Sequence, residues 1–163
     1  MEARIELLPA KKLVGYKVRM SLANNKTALA WSIFMPRKNE VQHQAGSNLF
    51  SLQVYDPFYF DDFSPANEFD KWAAVEVSRY ENIPEGMESF DLPGGLYAVF
   101  DYKGLSTDTA IYNYIFTTWL PASRFHLDDR PHFEILGAGY KNGLPDSEEE
   151  IWIPIRHRLL FGI

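Results

Sequence analysis

The chain matches itself at an offset of 82 residues, and that duplication limits its folds more than any single motif. Thr27-Ala28-Leu29 returns as Thr109-Ala110-Ile111, and Ile33-Phe34 returns as Ile115-Phe116, with no gap between the two matches. An apolar stretch precedes each copy (Leu13 to Met20, Leu96 to Tyr102). A short strand-like run follows each, Leu49 to Tyr55 and His132 to Leu136. One copy per half, with units this long, points to pseudo-symmetry rather than a solenoid. Two similar halves side by side leave a seam, and aromatic side chains along a seam suit a flat ligand.

Alternation and helical spacing fill in the elements. Arg4 to Leu8 reads as a strand stopped by Pro9. Lys12 to Leu22 reads as a second, with Tyr16, Val18 and Met20 alternating against Lys17, Arg19 and Ser21. Asn24-Asn25 caps a helix from Thr27 to about Val41, which Pro36 should kink or end near Met35. Gly46-Ser47-Asn48 reads as a turn into the strand Leu49 to Tyr55. Asp56 to Phe69 is irregular but aromatic (Phe58, Tyr59, Phe60, Phe63, Phe69), so it is expected to cover part of the interior. Trp72 to Tyr80 is a strand, and Pro84 to Met87 a turn.

The second half replays the plan. A strand Leu96 to Lys103 leads to a helix Asp108 to Leu120, capped by Ser106 or Thr107 and stopped by Pro121. The strands His132 to Gly137 and Glu150 to Arg156 follow, then an apolar tail, Leu159 to Ile163. The expected fold is α+β: duplicated strand-helix-strand-strand units forming one antiparallel sheet, with two long helices and a cleft between the halves. No linker composition separates the halves, so residues 1–163 read as a single domain with pseudo-repeats of about 3–80 and 86–157.

Composition excludes several function classes. Sixteen basic against 22 acidic residues give a net charge of -6, the wrong sign for a nucleic-acid surface. No cysteine is present, which removes disulfides, thiolate zinc sites and a cysteine nucleophile. The four histidines lack ligand spacing, and no P-loop, G-x-G-x-x-G or G-x-S-x-G occurs. Neither a metal nor a cofactor is expected. No charged-then-apolar leader opens the chain and no apolar run approaches about 18 residues. The expectation is a cytoplasmic protein without membrane contact.

The aromatic share is high, with 12 Phe, 9 Tyr and 4 Trp. Trp31 and Tyr112 fall near equivalent positions of the two helices, where they would wall a central cleft. Tyr55, Tyr97, Trp119 and Trp152 are further ring candidates, and packing alone would also explain each. Trp152 alternates with Ile151 and Ile153, so it falls on the face of Glu150 and Pro154, opposite the expected core side.

Glu134 is the first candidate for chemistry. It lies in a strand between Phe133 and Ile135, and the 82-residue offset sets it opposite Leu52. A buried carboxylate needs a positive or donor partner. A cationic ligand would supply one, with ring faces adding about 0.5–2 kcal/mol each. The competing reading points Glu134 to water, or pairs it with Arg130 or Arg156. His132 shares the strand face of Glu134 as a proton-transfer candidate. The acidic runs Asp128-Asp129 and Glu148-Glu149-Glu150 read as solvated loop charge.

Several runs together resemble the GyrI-like small-molecule-binding family, the effector-binding domain of many AraC-type and MerR-type bacterial regulators. In the first half these are Trp31 to Arg37, Phe69 to Val77 and Ile83-Pro84-Glu85-Gly86-Met87. In the second they are Leu92-Pro93-Gly94-Gly95 to Phe100, Arg130-Pro131-His132-Phe133-Glu134, and Glu150 to Ile155. The resemblance runs from about residue 3 to 157. It implies a ligand cleft between repeats that takes lipophilic, often cationic, aromatic compounds, with Glu134 at the position of the family's ligand-contacting glutamate. Trp31, Tyr55, Tyr112, Trp152, Tyr97 and Trp119 are then the candidate pocket rings. The regulators carry a DNA-binding domain that this chain lacks, which implies a stand-alone member that senses or sequesters its ligand and has no direct nucleic-acid contact. Stand-alone relatives include gyrase inhibitors, which bind a protein partner. Others resemble hydrolases of cyclopropane-bearing natural products, in which Glu134 would activate water beside a tyrosine acid.

Overall fold

The computed structural model describes residues 2–159, so most of the expected apolar tail, residues 160–163, lies outside the described residues. The strands are β1 (Arg4–Leu8), β2 (Lys11–Ser21), β3 (Gln44–Tyr55), β4 (Glu68–Val77), β5 (Glu88–Leu92), β6 (Gly95–Lys103), β7 (Phe125–Leu127), β8 (His132–Leu136) and β9 (Glu148–His157). Helix α1 (Thr27–Phe34) passes directly into a 3₁₀ stretch, Met35–Glu40, with Pro36 in its first turn. The tightening starts where Pro36 was expected to end regular helix. Helix α2 begins at Ala110–Tyr114, widens into a π-helical turn over Ile115–Trp119 and closes with Leu120–Ala122. Ile115, Thr117 and Thr118 are β-branched and weak helix formers, and the Thr117 hydroxyl donates to the Asn113 carbonyl at 2.6 Å. Pro121 lies within the last turn instead of stopping it.

All pairings are antiparallel, and the sheet runs β1-β6-β9-β8-β3-β4-β2-β5, with β7 added beside β9. Read inward from either side, β6-β9-β8 and β2-β4-β3 follow the same plan, and β8 meets β3 at the centre. The outermost strands are exchanged. β1 precedes β2 in the chain but pairs with β6, while β5 precedes β6 but pairs with β2. Their connections, Pro9-Ala10 and Pro93-Gly94, cross in contact: a Cβ on Gly94 would stand 2.7 Å from the Leu8 carbonyl oxygen and the Ala10 nitrogen.

The sheet curls around one core and carries helices on its other face. The enclosed cluster joins Leu8, Leu13, Leu92 and Tyr97 from the sheet's ends with Phe50, Leu52, Trp72, Phe133 and Trp152 from its middle. On the opposite face α1 packs Ala30 and Phe34 on Val14, Ala73, Val75 and Val77. Helix α2 packs Ile111 and Ile115 on Ala98, Phe100, Ile151 and Ile153. Both faces of the sheet are therefore apolar, which corrects the one-sided core expected around Trp152.

Several boundaries also differ from expectation. β3 starts at Gln44 and absorbs Gly46-Ser47-Asn48 as a register irregularity, not a turn. β4 starts at Glu68, four residues before Trp72. Glu148-Glu149-Glu150 opens β9 and is not a loop. β5 and β7 were not expected; both are too short for alternation to stand out.

Candidate functional site

The helix-side face of the two central strands presents a polar group under aromatic cover. Pairing aligns Lys71 (β4), Gln53 (β3) and His132 (β8) in one row, and Ala73, Ser51, Glu134 and Ile151 in the next. Cross-strand partners point to the same face, so Glu134 stands between the two helix-covered halves. It is only 8% exposed. One carboxylate oxygen, Oε1, accepts the Tyr112 hydroxyl at 2.6 Å and the Gln53 amide at 3.0 Å. The other, Oε2, is buried without a hydrogen-bond partner, as is Gln53 Oε1.

Neither Arg130 nor Arg156 answers Glu134. The Arg130 guanidinium binds Asp128 and the Leu96 and Ile155 carbonyls and lies over the Tyr97 ring at 4.6 Å. It also packs where a side chain at Gly95 would be, and Gly95 has φ +144, a conformation open to glycine. Arg130 is thus a structural clamp between strands, and Arg156 is exposed.

Rings close over the carboxylate. His132 lies edge-on to Tyr55 at 4.8 Å, stacks on Phe60 at 5.5 Å and faces Phe116 at 6.0 Å. Burial pushes its pKa down to about 3, so the imidazole is neutral. Burial raises the Tyr112 hydroxyl well above its ordinary range, and the charge and hydrogen bond of Glu134 add to it. Tyr55 is raised likewise, by burial first and Glu134 second. Lys71, 4% exposed, is lowered by burial while Glu134 and Glu149 pull it back up. Glu149 is raised to about 7 by burial and then by Glu134, against Lys71.

A cavity of about 20 Å³ remains, bordered by Gln53, Tyr55, Tyr112, Phe116, His132 and Glu134. About 10–15 Å³ suffices for one water, so the aromatic cover is closed. A larger crevice of about 430 Å³ lies elsewhere, between the end of β6 and the start of β9. Apart from Tyr102 and Ile135 it is lined by polar, charged and glycine residues, including Asp101, Lys103 and Glu148 to Glu150.

The structure gathers Glu134, Tyr55 and Tyr112 around the small cavity. Trp152 also borders it, although its ring stacks on Phe133 at 5.4 Å within the enclosed core. The other three rings lie apart. Trp31 packs edge-on to Phe34 under α1, Trp119 packs on Phe100 and Phe125 under α2, and Tyr97 is fully buried with its hydroxyl bonded to Pro93. Gln53, Phe60, Phe116, Lys71 and Glu149 complete the surroundings and were not singled out from sequence. Extending the alternation of β4 and β9 back by one or two residues would have put Lys71 with Ala73 and Glu149 with Ile151. The 82-residue offset also misleads at one point. Leu52 faces the enclosed core while Glu134 faces the helices, because the offset is out of step with the pleat there.

The sequence model of the integron-associated effector-binding protein family, Cass2, matches residues 4–155. The chain belongs to this family. That agrees with its resemblance to GyrI-like effector-binding domains. The transcriptional regulator BrlR of Pseudomonas aeruginosa is 29% identical over 160 residues, covering 95% of this chain and 56% of the regulator. The chain therefore spans about half the length of that relative. An integron cassette protein from Vibrio cholerae shares the fold with a TM-score of 0.65 at 14% identity, covering 96% of this chain and 97% of the other. The protein SAV2435, solved bound to tetraphenylphosphonium, superposes with a TM-score of 0.62 at 18% identity, covering 96% and 94%. Among the described residues no helix is long and apolar enough to cross a membrane.

Proposed function

We propose that this protein binds small lipophilic aromatic cations at Glu134, in a single effector-binding domain whose two repeats run from about 3 to 80 and 86 to 157. One observation carries the reading. A buried carboxylate between the halves is ringed by Tyr55, Tyr112, Phe116 and His132 and keeps one oxygen unpaired. With His132 neutral and Tyr112 protonated, the positive group that Glu134 feels is Lys71, which lies outside the cavity lining and leaves Glu134 Oε2 without a hydrogen bond. A cation in this place would gain Coulombic attraction in a poorly solvated site together with the ring faces. The tetraphenylphosphonium held by SAV2435 is a ligand of that kind.

Entry requires the aromatic cover to part, because a drug-sized ligand needs about 300 Å³ or more. Phe60, 39% exposed on the loop between β3 and β4, and Phe116, in the π-helical turn, are the rings to move. Such irregular turns mark functional positions in other helices. Sensing or sequestration follows from binding alone.

The test is tetraphenylphosphonium titration followed by Trp fluorescence, with Trp119, in the same π-helical turn as Phe116, as reporter. Saturable binding is expected, weakened about tenfold or more in Glu134→Gln with the circular dichroism unchanged. Equal affinity in the variant removes the charge role. Mass spectrometry of the recovered ligand should show it unaltered; a product would favour a hydrolase that uses Glu134.

A further inference from the structure

The two orphaned acceptors make a demand on the ligand beyond positive charge. The Gln53 amide is oriented by Glu134: its Nε2 donates to Glu134 Oε1 at 3.0 Å. Reversing the amide would set carbonyl against carboxylate, so Gln53 Oε1 must point away from that bond. It is buried there without a partner, beside a carboxylate whose Oε2 is also unpaired. The single hydroxyl proton of Tyr112 is already spent on Oε1. Lys71, the buried cross-strand partner of Gln53, bonds neither oxygen. Buried acceptors of this kind are costly unless a donor arrives.

We propose that the pocket selects cations carrying N–H donors, primary ammonium or amidinium groups, over quaternary cations of the same shape, and that Gln53 determines this specificity. The inference rests on the cation-binding reading of Glu134 and deepens it. A quaternary centre satisfies the charge of Glu134 but neither free oxygen. An ammonium group reaches both, with one N–H on Glu134 Oε2 and another on Gln53 Oε1. Desolvation alone works the other way, since an ammonium ion is more strongly hydrated than its trimethylated form. A preference for the ammonium therefore reports hydrogen bonding rather than charge.

The experiment compares biphenyl-4-ylmethylammonium with its N,N,N-trimethyl analogue by isothermal titration calorimetry on the full chain. The wild type is expected to bind the primary ammonium roughly tenfold tighter or more. Gln53→Met should cut that ratio several-fold, the bond to Glu134 Oε2 remaining, and Glu134→Gln should weaken both cations. A ratio at or below one in the wild type overturns the proposal, whatever the variants do. So does an unchanged ratio in folded Gln53→Met. If quaternary cations bind as well as ammonium, only this selectivity fails. If no cation binds, tetraphenylphosphonium included, the reading of Glu134 falls and takes this one with it.

Discussion

Glu149 and His132 oppose one another as the pH changes, and both lie on the helix-side face that carries Glu134. Glu149 in the folded chain titrates near 7 instead of its ordinary 4.5. Between those values the native state holds a proton that the unfolded chain releases, so its contribution to stability falls as pH rises through that window. His132 has its pKa lowered from 6.5 to about 3. There the unfolded chain holds the extra proton, and stability is lost as pH falls from about 6.5 toward 3. Glu149→Gln should therefore gain stability over the wild type at about pH 7 and little at about pH 5. Urea unfolding at both values checks this; an identical difference at each would mean that Glu149 titrates normally. At the residue scale the sequence marked Glu134 and set His132 on its face, because period-two alternation assigns faces within a strand. Lys71 and Glu149 were hidden because their strands start earlier than apolar content alone signals.

Among the elements, the loop between β3 and β4 and the π-helical turn of α2 supply the rings, Phe60 and Phe116, that pack against His132 beside Glu134. Tyr59 of that loop is buried against Tyr55 and Phe69, which anchors it, while Phe60 beside it reaches over His132. Phe60→Ala should leave the anchor in place and open the cover. Tetraphenylphosphonium association, followed by stopped-flow fluorescence, is expected to speed up several-fold, with a stability loss of about 1 kcal/mol for this partly exposed ring. An unchanged association rate would assign the gate elsewhere, Phe116 first. The aromatic richness of residues 56–69 was plain in the sequence. Which ring would cover which carboxylate was not, since that depends on β3 and β8 becoming neighbours across 81 residues of chain. The widening of α2 was equally hidden, because its 3.6-residue apolar spacing resembles that of a regular helix.

At the scale of the whole molecule the exchanged strands bind the halves together. Each half lends its leading strand to the other's sheet edge, so the connection after Leu8 and the one after Leu92 must pass each other. The Leu-Pro pairs Leu8-Pro9 and Leu92-Pro93 mark this crossing in both halves, and Gly94 is where the backbones touch. Gly94→Ala would drive a methyl group into backbone atoms rather than into a flexible side chain. A loss of about 2 kcal/mol is expected, as a lower urea midpoint with one cooperative transition retained. A variant as stable as the wild type would show that the crossing has slack.

Local chemistry is what the sequence by itself determined. Alternation and helical spacing fixed where most strands and both helices lie, and duplicated spacing fixed that they come as two similar sets. These are properties of a few consecutive residues, so they survive without knowledge of any partner. The tertiary structure alone decided the rest: the curled sheet with apolar cores on both faces, the traded edge strands, and the removal of Tyr97, Trp31 and Trp119 from the vicinity of Glu134. It also decided that one oxygen of Glu134 is left unpaired beneath closed rings. Strand partners and register are settled by which distant surfaces exclude water together, and that free energy belongs to the assembled core rather than to any segment of the chain.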